Sequence, residues 1–471
     1  MFGLILLSMF LFILPLFYSW YYADTTEKYL KVGLTDLLDI INGIVLQFWL
    51  YLPLGLIGSW RWGVWIFKKI CAQFYTPIWE SGRSKSDVLS LSVITPVYNE
   101  DPIIFTSALK SWELNNPDEL IAVIDQMDRA CINAFTRFSK DKSWTRLIIT
   151  SIPGKRPALV NGILASTGSI IALVDSDTIW EPHIKEKLIA PFIMDKKIGG
   201  VTSRQHPISR QTIWQKMTDV FWDMRNYYDL PSQTAMGCSL SCLSSRTALY
   251  RREIIVPNLD EFLNEIILGK KRESGEDKCL TRLIQRQGWK SYYQANATVY
   301  SSASPDFVTF WKQRVRWSRN SHNSDLISLW DGWAWKHPYL AFYMIDRFIS
   351  TFTLFLGPIF FAFALYKSLW ILAVSILFLW IFGRSIKIIP HLRRQPKDIL
   401  LIPVFVAVNY LIAIAKLYAL VTIREQTWIR EVKYDIKKYS KKSGAHKRVI
   451  YIALTGVIIG GLVTLVEFII R

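Results

Sequence analysis

The chain has 471 residues, which is long enough for more than one domain. Hydrophobic residues make up 51% of it and charged residues 20%, a composition too apolar for an ordinary soluble enzyme and too charged for a bare channel. The excess of 56 Lys and Arg over 38 Asp and Glu suits anionic lipid or a phosphate-bearing substrate. We expect no nucleic-acid partner, because the charge comes with no zinc-binding spacing and no recognisable binding module.

The chain begins with two apolar runs, 3–20 and 42–60, each near the length that spans hydrocarbon. The first run lacks the basic segment and the small-residue cleavage site of a secretory signal, so we expect a retained anchor. After a long polar stretch, four more apolar runs follow, at 347–366, 369–386, 399–421 and 449–470. The pattern predicts membrane helices in 1–67, a cytosolic domain in 68–337, and a membrane and interfacial region in 338–471.

Basic residues set the expected topology. If the domain is cytosolic, a full crossing by 399–421 would export the basic stretch that follows, against the positive-inside tendency. We therefore expect 399–421 to be partly re-entrant or interfacial. Within the basic stretch, four residues are typical of a face that binds anionic lipid: Lys437, Lys438, Lys441 and Lys442. The prediction is a multi-pass plasma-membrane protein with a cytosolic domain, where its five cysteines remain reduced.

Within the polar stretch, short β-rich runs alternate with helical ones. The β-rich runs are LSLSVITP, LIAVID, TRLIIT, SIIALVD and IGGVTS. This order predicts an α/β sheet. Ligands in open α/β sheets bind beyond the carboxyl ends of the strands, so Asp125 and Asp175, which end two of these runs, are candidate site residues.

The sequence VDSDT places Asp175 and Asp177 two residues apart, just after an apolar run. Carboxylates at this spacing can hold a hard divalent cation against phosphate oxygens, so Mg²⁺ or Mn²⁺ is the expected cofactor. Taken alone, such a pair is more often a solvated turn. The preceding run IIALV favours a site at a strand end.

A second acidic pair, Glu276 and Asp277, lies in SGEDK about a hundred residues later. Asp277 is the candidate general base of a transfer reaction, with Glu276 as its catalytic neighbour. The alternative is a charge pair at a helix start, where acids favour the helix dipole.

Further along, QRVRW combines an amide, a phosphate-binding guanidinium and an aromatic platform for a sugar ring, at Gln313, Arg316 and Trp317. The alternative is an amphipathic helix with Trp at a membrane boundary. Upstream, TPVYNE and GKR supply an aromatic for stacking on a base and two basic groups for a base or diphosphate, at Tyr98, Lys155 and Arg156.

In this order, TPVYNE, VID, GKR, VDSDT, SCLSSRTALYR, GED and QRVRW resemble the processive family-2 glycosyltransferases, meaning the hyaluronan, chitin and cellulose synthases. The resemblance covers nearly the whole chain. KLYALVTIREQTWIR resembles the interfacial helix and tryptophan-containing gating loop of hyaluronan synthases, which puts a gating-type loop at 422–432. The resemblance implies a GT-A-like cytosolic domain, with a Rossmann-like mixed sheet, inserted between transmembrane helices.

The resemblance also implies a role for each matching residue. It implies uridine contacts at Tyr98, Asp125 and Lys155, metal and diphosphate contacts at Asp175 and Asp177, and Asp277 as the base. It further implies diphosphate and acceptor contacts at Gln313, Arg316 and Trp317, an acceptor sugar near Cys242, and gating-loop contacts at Trp428 and Arg430. For Cys242 the alternative is a small buried core residue. The sequence departs from hyaluronan synthases in SGEDK, where they have G-D-D-R, and in TWIR, where they have W-G-T, so the polymer stays open.

The expected function is a processive, inverting transfer of sugars from UDP-sugars on the cytosolic face, with the polysaccharide passing through the enzyme's own membrane channel. Hyaluronan, from UDP-GlcNAc and UDP-GlcA, is the first candidate product, and a monomer is expected. The alternatives are a synthase of chitin, a glucan or a capsular polysaccharide, or a nonprocessive lipid glycosyltransferase similar to ceramide glucosyltransferases. A channel or transporter with a nucleotide-sensing domain would have no evident need for the acceptor-side motifs.

Overall fold

The computed structural model describes residues 58–79 and 89–425. The described residues fall into two compact units, one made of 58–70 and 352–379 and the other of 71–351 and 380–425. The second unit contains the sheet and the candidate site. The apolar runs 3–20 and 449–470, the basic stretch 437–442, Trp428 and Arg430 lie outside the described residues.

An eight-stranded mixed sheet and a separate two-stranded hairpin account for the ten strands that the structure describes. The strands are β1 (Leu91–Val97), β2 (Glu119–Asp125), β3 (Thr145–Thr150), β4 (Ile170–Leu173), β5 (Ile179–Trp180), β6 (Ile198–Pro207), β7 (Ala248–Arg251), β8 (Ile266–Ile267), β9 (Lys270–Lys271) and β10 (Lys290–Ser301). The order in the large sheet is β3-β2-β1-β4-β7-β6-β10-β5. Strands β3, β2, β1 and β4 are parallel, and β7 runs antiparallel to both of its neighbours. The predicted α/β fold with a mixed sheet is confirmed.

Helices connect and cover these strands. They are α1 (58–73), α2 (Pro102–Glu113), α3 (Arg129–Ser139), α4 (Lys155–Ala165), α5 (Ile184–Met194), α6 (Ile213–Met224), α7 (Leu230–Ala235), α8 (Arg252–Ile255), α9 (Leu259–Leu263), α10 (Glu276–Arg286), α11 (Phe307–Trp330), α12 (Pro338–Tyr366), α13 (Trp370–Lys387), α14 (Ile389–Arg394) and α15 (Ile402–Val421). A π-helical segment, Arg225–Asp229, joins α6 to α7.

The core has two layers because successive residues of a strand point to opposite faces of the sheet. On β2, Leu120, Ala122 and Ile124 belong to one hydrophobic cluster, whereas Ile121 and Val123 belong to the other. Helices α2, α3 and α5 pack in the first cluster, and α4, α9 and α10 pack in the second. Apolar residues on both faces of β2 explain why its sequence is a continuous apolar run, as expected of a strand buried on both faces.

Two segments of the described chain are long and apolar enough to cross a membrane, judged by length and composition: Pro338–Tyr366 and Pro396–Val421. The first is α12, which includes the apolar run 347–366. The second joins a 3₁₀ turn, Pro396–Leu401, to α15, and contains the run 399–421. Phe405 and Val408 of α15 pack with Met217 and Val220 of α6, so α15 is partly buried within the sheet-containing unit.

Candidate active site

A cavity of about 1700 Å³ opens at the carboxyl ends of the parallel strands. Tyr98 follows β1, Asp125 and Thr150 are the last residues of β2 and β3, and Asp175 follows β4; all four line the cavity. Strand order reverses at β1, since β2 and β3 lie on one side of it and β4 on the other. Crevices at such reversals are the usual ligand sites of open α/β sheets.

The cavity brings together the candidate residues that the structure describes. They are Tyr98, Asp125, Lys155, Arg156, Asp175, Asp177, Cys242, Glu276, Asp277, Gln313, Arg316 and Trp317. The residues come from the strand ends and the loops that follow them, from the loop before β7, from the first turns of α4 and α10, and from α11, which are far apart in sequence. The fold therefore turns a set of separate motifs into one site.

Lys155 joins two of the acidic motifs. Its Nζ lies 2.6 Å from Asp175 Oδ1 and 2.6 Å from Glu276 Oε1, and it donates to Ser245 Oγ at 3.2 Å. Burial alone would lower the pKa of Lys155, but the two carboxylates raise it above its usual value. Burial alone would likewise raise the pKa values of Asp175 and Glu276, but the Lys155 ammonium lowers both. All three groups are therefore charged at neutral pH.

The two acids of VDSDT have different surroundings. Asp175 is occupied by Lys155 and by Ser245, whose Oγ donates to Oδ2 at 3.2 Å. Asp177 accepts hydrogen bonds from Ser301 Oγ at 3.2 Å and from Ser302 N at 3.3 Å, both at the end of β10. The Asp177 carboxylate is thus held by serine groups of this loop, and a carboxylate oxygen is the kind of ligand that a hard divalent cation prefers.

Asp277 lies at the start of α10, where Gly275 adopts φ +79° as the residue before the helix. A Cβ at position 275 would lie 3.1 Å from Asn320, so both the backbone conformation and the space favour glycine. The Asp277 carboxylate accepts from Lys278 N at 2.8 Å and from the Cys242 thiol at 3.2 Å. Burial and the neighbouring Glu276 raise the pKa of Asp277, as suits a proton acceptor.

The motif QRVRW lies on α11 and faces the cavity through Gln313, Arg316 and Trp317. Gln313 Oε1 accepts from Ser304 Oγ at 3.2 Å, which fixes the amide. Arg246 and Arg314 also line the cavity. Their guanidinium carbons lie 5.3 and 5.1 Å from the centre of the Trp317 ring. The aromatic platform predicted for a sugar therefore also packs against two cations.

Arg156 differs from its neighbour Lys155 because its side chain is buried. Its Nη1 donates to Phe262 O at 2.6 Å, and its Nη2 lies 2.6 Å from Glu265 Oε2 and donates to Ser274 O at 3.3 Å. These contacts tie α4 to α9 and to the loop before α10. The geometry favours a supporting role, holding the loop that carries Gly275.

Among the cavity residues that sequence reasoning did not single out are Arg225, Arg246 and Arg314. Arg225 begins the π-helical segment and donates to Cys242 O at 3.1 Å; such segments are frequent at functional sites. Arg246 and Arg314 lie inside two quoted motifs, SCLSSRTALYR and QRVRW. The sequence could have indicated Arg246, because it is a basic residue that follows two serines just before a strand.

A second group of acids lies outside the cavity lining, where His206, Asp219 and Asp223 bring potential metal ligands within 4.8 Å of one another. Arg394 Nη2 lies 2.6 Å from Asp219 and 2.7 Å from Asp223, and Arg210 Nε lies 2.6 Å from Asp219. Guanidinium groups thus already supply the positive charge that a metal ion would supply. The group is an ion-pair network that ties α6 to α14.

Known proteins similar to this chain are glycosyltransferases. Residues 90–320 match the model of the glycosyltransferase-like family 2. The hyaluronan synthase of Streptococcus pyogenes is 26% identical over 377 residues, which cover 77% of this chain and 88% of that protein. An N-acetylglucosaminyltransferase of Rhizobium meliloti (strain 1021) is 26% identical over 57% of this chain and 64% of its own length. A type 2 glycosyltransferase of Zymoseptoria tritici is 26% identical over 72% of this chain and 74% of its own.

Among solved structures, the fold is similar to that of the mannosyltransferase PcManGT from Pyrobaculum calidifontis, determined in complex with GDP-Man and Mn²⁺. The TM-score is 0.55 at 14% identity, over 78% of this chain and 99% of that one, a likeness of fold. The match of residues 90–320 and the relatives together imply binding of a nucleotide sugar. Residues 90–320 form a family-2 glycosyltransferase domain, and the chain is similar to a hyaluronan synthase over most of its length.

Proposed function

We propose that this chain is a processive, inverting glycosyltransferase that polymerises UDP-sugars on the cytosolic face of the plasma membrane, with hyaluronan as the first candidate product. The observation that carries the proposal is the convergence of Asp177, Asp277 and the QRVRW helix on one cavity at the switch point of the sheet. Donor-side and acceptor-side motifs share this cavity, as a transfer reaction requires.

The nucleotide occupies the strand-end side of the cavity in this proposal. Tyr98 stacks on the uracil, and Asp125, whose Oδ1 already accepts from Met127 N at 2.9 Å, receives a uridine N–H or hydroxyl. Lys155 acts at this side of the cavity by keeping Asp175 and Glu276 charged and fixed. Arg156 supports the loop before α10.

The donor set fits a divalent cation, because carboxylate oxygens and diphosphate oxygens are the ligands that Mg²⁺ and Mn²⁺ prefer. Asp177 would hold the ion, with Asp175 beside it. When bound, the ion supplies positive charge that stabilises the departing diphosphate.

Asp277 is the proposed base. It takes the proton of the acceptor hydroxyl while that oxygen attacks the anomeric carbon from the side opposite the diphosphate, which inverts the configuration. Its raised pKa improves its match to this role, while the Cys242 thiol and the Lys278 amide hold the carboxylate in place. Glu276 tunes Asp277 through its charge and is anchored by Lys155.

The acceptor end of the growing chain lies on the α11 side of the cavity. We place Trp317 and Cys242 beside the acceptor sugar, and Gln313 and Arg316 beside the diphosphate and acceptor hydroxyls. Helices α12 and α15 then belong to a translocation path, with the gating-type loop 422–432 and its Trp428 and Arg430 at the entrance. The length and composition of α12 and of Pro396–Val421 support a membrane-embedded enzyme. We further propose that it functions as a monomer.

Replacing Asp277 by Asn tests the proposal, because Asn keeps the shape of the side chain and cannot take a proton. Purified full-length D277N should lose about 10²- to 10⁴-fold in polymer formation from UDP-GlcNAc and UDP-GlcA. Its affinity for UDP should stay within a few-fold of wild type, which distinguishes loss of the base from loss of the fold. Near wild-type polymerisation by D277N would overturn the mechanism.

The product also decides between this proposal and the alternatives. A long polymer made from one UDP-sugar alone would replace hyaluronan by a homopolymer such as chitin or a glucan. A single sugar attached to lipid would replace the synthase by a nonprocessive lipid glycosyltransferase.

A further inference from the structure

Two arginines that line the cavity, Arg246 and Arg314, have buried guanidinium nitrogens without a hydrogen-bond partner among the residues that the structure describes. The guanidinium of Arg246 lies 4.3 Å from the ring centre of Trp222 and 5.3 Å from that of Trp317, and its Nη1 donates to two neutral oxygens, Gln205 Oε1 and Ser244 Oγ, at 3.3 Å each. Its Nε is buried without a hydrogen-bond partner among residues 58–79 and 89–425.

Arg314 has a similar environment. Its guanidinium packs on Phe221, Phe310 and Trp317 at 4.9, 4.7 and 5.1 Å from the ring centres. Nε and Nη2 are buried and have no hydrogen-bond partner in the part of the chain that the structure describes. Two cations therefore pack on one indole ring, and aromatic faces offset only part of their charge.

The positive charge of this pair is costly to bury, although the carboxylates of Asp175, Asp177 and Asp277 offset part of that of Arg246. Burial lowers the pKa of Arg246, and burial together with the nearby Arg246 lowers the pKa of Arg314 to about 9. Burying unpaired cations is costly, so an anion that enters the cavity relieves an unfavourable arrangement. The charges of Asp175 and Asp177 reach Arg246 electrostatically, which places it toward the proposed diphosphate site.

We propose that Arg246, backed by the aromatic-caged charge of Arg314, binds the diphosphate of the donor and takes up the charge of the leaving group. The inference rests on the proposed function and adds a diphosphate ligand outside the acidic and QRVRW residues assigned above. In the transfer, the acceptor oxygen forms its bond to the anomeric carbon as the bond from that carbon to the diphosphate oxygen breaks. The hydroxyl proton goes to Asp277, and the bonding electron pair leaves with the diphosphate, whose negative charge the Arg246 guanidinium meets.

Nucleotide binding to the purified full-length protein tests this assignment without requiring turnover. We would titrate UDP and UMP into wild type, R246Q, R246K and R137Q by calorimetry, with Mn²⁺ present throughout. Arg137 is an exposed residue of α3 outside the cavity lining, so R137Q removes the same charge elsewhere. R246Q should weaken UDP binding about 10- to 100-fold and UMP binding less than about threefold. R246K should fall between R246Q and wild type, since it keeps the charge and loses the planar fork, and R137Q should match wild type.

Two other results would overturn the inference, and a third would overturn the proposed function. A lower melting temperature of nucleotide-free R246Q with unchanged UDP affinity would show that Arg246 only packs between aromatic rings, and would overturn the inference. Loss of affinity for UDP-GlcA with no loss for UDP or UDP-GlcNAc would assign Arg246 to a sugar carboxylate, and would also overturn it. If wild type itself does not bind UDP, the proposed function fails rather than this inference.

Discussion

Lys155 illustrates how one side chain organises the site. Sequence reasoning assigned it to the nucleotide and assigned Asp175 to a metal ion, each from its own motif. In the structure, the Lys155 ammonium lies 2.6 Å from carboxylate oxygens of both Asp175 and Glu276. Bridging these motifs holds the loop after β4 beside the start of α10. The lysine therefore fixes the spacing between the donor side of the cavity and the proposed base.

Replacing Lys155 by Met should destabilise the protein. The variant leaves Asp175 and Glu276 partly buried without their shared cation, and removing one partner of a buried ion pair typically costs about 3–5 kcal/mol. Thermal unfolding followed by tryptophan fluorescence should show a clear fall in the melting temperature. The double variant K155M/E276Q should recover part of this loss. A melting temperature equal to that of wild type for K155M would show that the bridge contributes little.

Cys242 gives a prediction about pH. Its thiol donates to the Asp277 carboxylate at 3.2 Å, which favours the charged form and so lowers the pKa of Asp277 against the effects of burial and Glu276. Removing the donor in Cys242→Ala should raise the pKa of Asp277. Because a base works only when deprotonated, the acid limb of the kcat–pH profile should move to higher pH.

Cys242→Ser is the matched control, since a hydroxyl can donate to the same carboxylate. Its acid limb should stay near that of wild type. An identical acid limb for Cys242→Ala and wild type would show that the thiol does not act on the proposed base.

At the scale of elements, strand ends and helix starts place the functional groups. Strands β1 to β4 deliver Tyr98, Asp125 and Asp175 to one edge of the sheet, and the left-handed conformation of Gly275 starts α10 so that Asp277 enters the cavity. The elements therefore set the overall separation of the proposed donor and acceptor groups, and contacts such as the Lys155 bridge hold it.

Gly275→Ala tests the role of this helix start. Alanine should cost about 1–2 kcal/mol for the positive φ, and its Cβ would meet Asn320 at 3.1 Å. Displacement of Asp277 should lower kcat about 10- to 100-fold. Gly288→Ala is the control, because Gly288 also has a positive φ, +88°, but a Cβ there meets nothing within 4 Å. Equal kcat losses in the two variants, measured as UDP release, would contradict the account.

Sequence periodicity was sufficient for the strands that form the first half of the sheet. LIAVID and SIIALVD are continuous apolar runs because β2 and β4 are buried on both faces. The acid that ends each run lies at the carboxyl end of its strand, so its position at the edge of the sheet could be predicted. The short β7 and the bulged β10 gave no comparable signal, since their pairing depends on distant partners. The surroundings of Arg246 and Arg314 were also not predictable, because they depend on which aromatic rings and acids the fold brings near them.

At the scale of the whole molecule, one chain combines a family-2 glycosyltransferase domain with helices long and apolar enough to span a membrane. The α6–α15 packing and the Asp219–Arg394 ion pair connect the catalytic elements to the helices that follow them. This arrangement is what a synthase needs if the site that extends a polymer also feeds a path across the bilayer. Membrane embedding, processivity and product identity are parts of one proposal, and the size and composition of the product test its central part.

The most direct measurement is therefore the size and composition of the product made by purified full-length protein from labelled UDP-GlcNAc and UDP-GlcA, supplied singly and together with Mg²⁺ or Mn²⁺. We predict high-molecular-weight polymer when both sugars are present, little product with either alone, and complete digestion of the polymer by hyaluronidase. A product that stops at one sugar on a lipid acceptor would contradict the claim that this enzyme is a processive synthase.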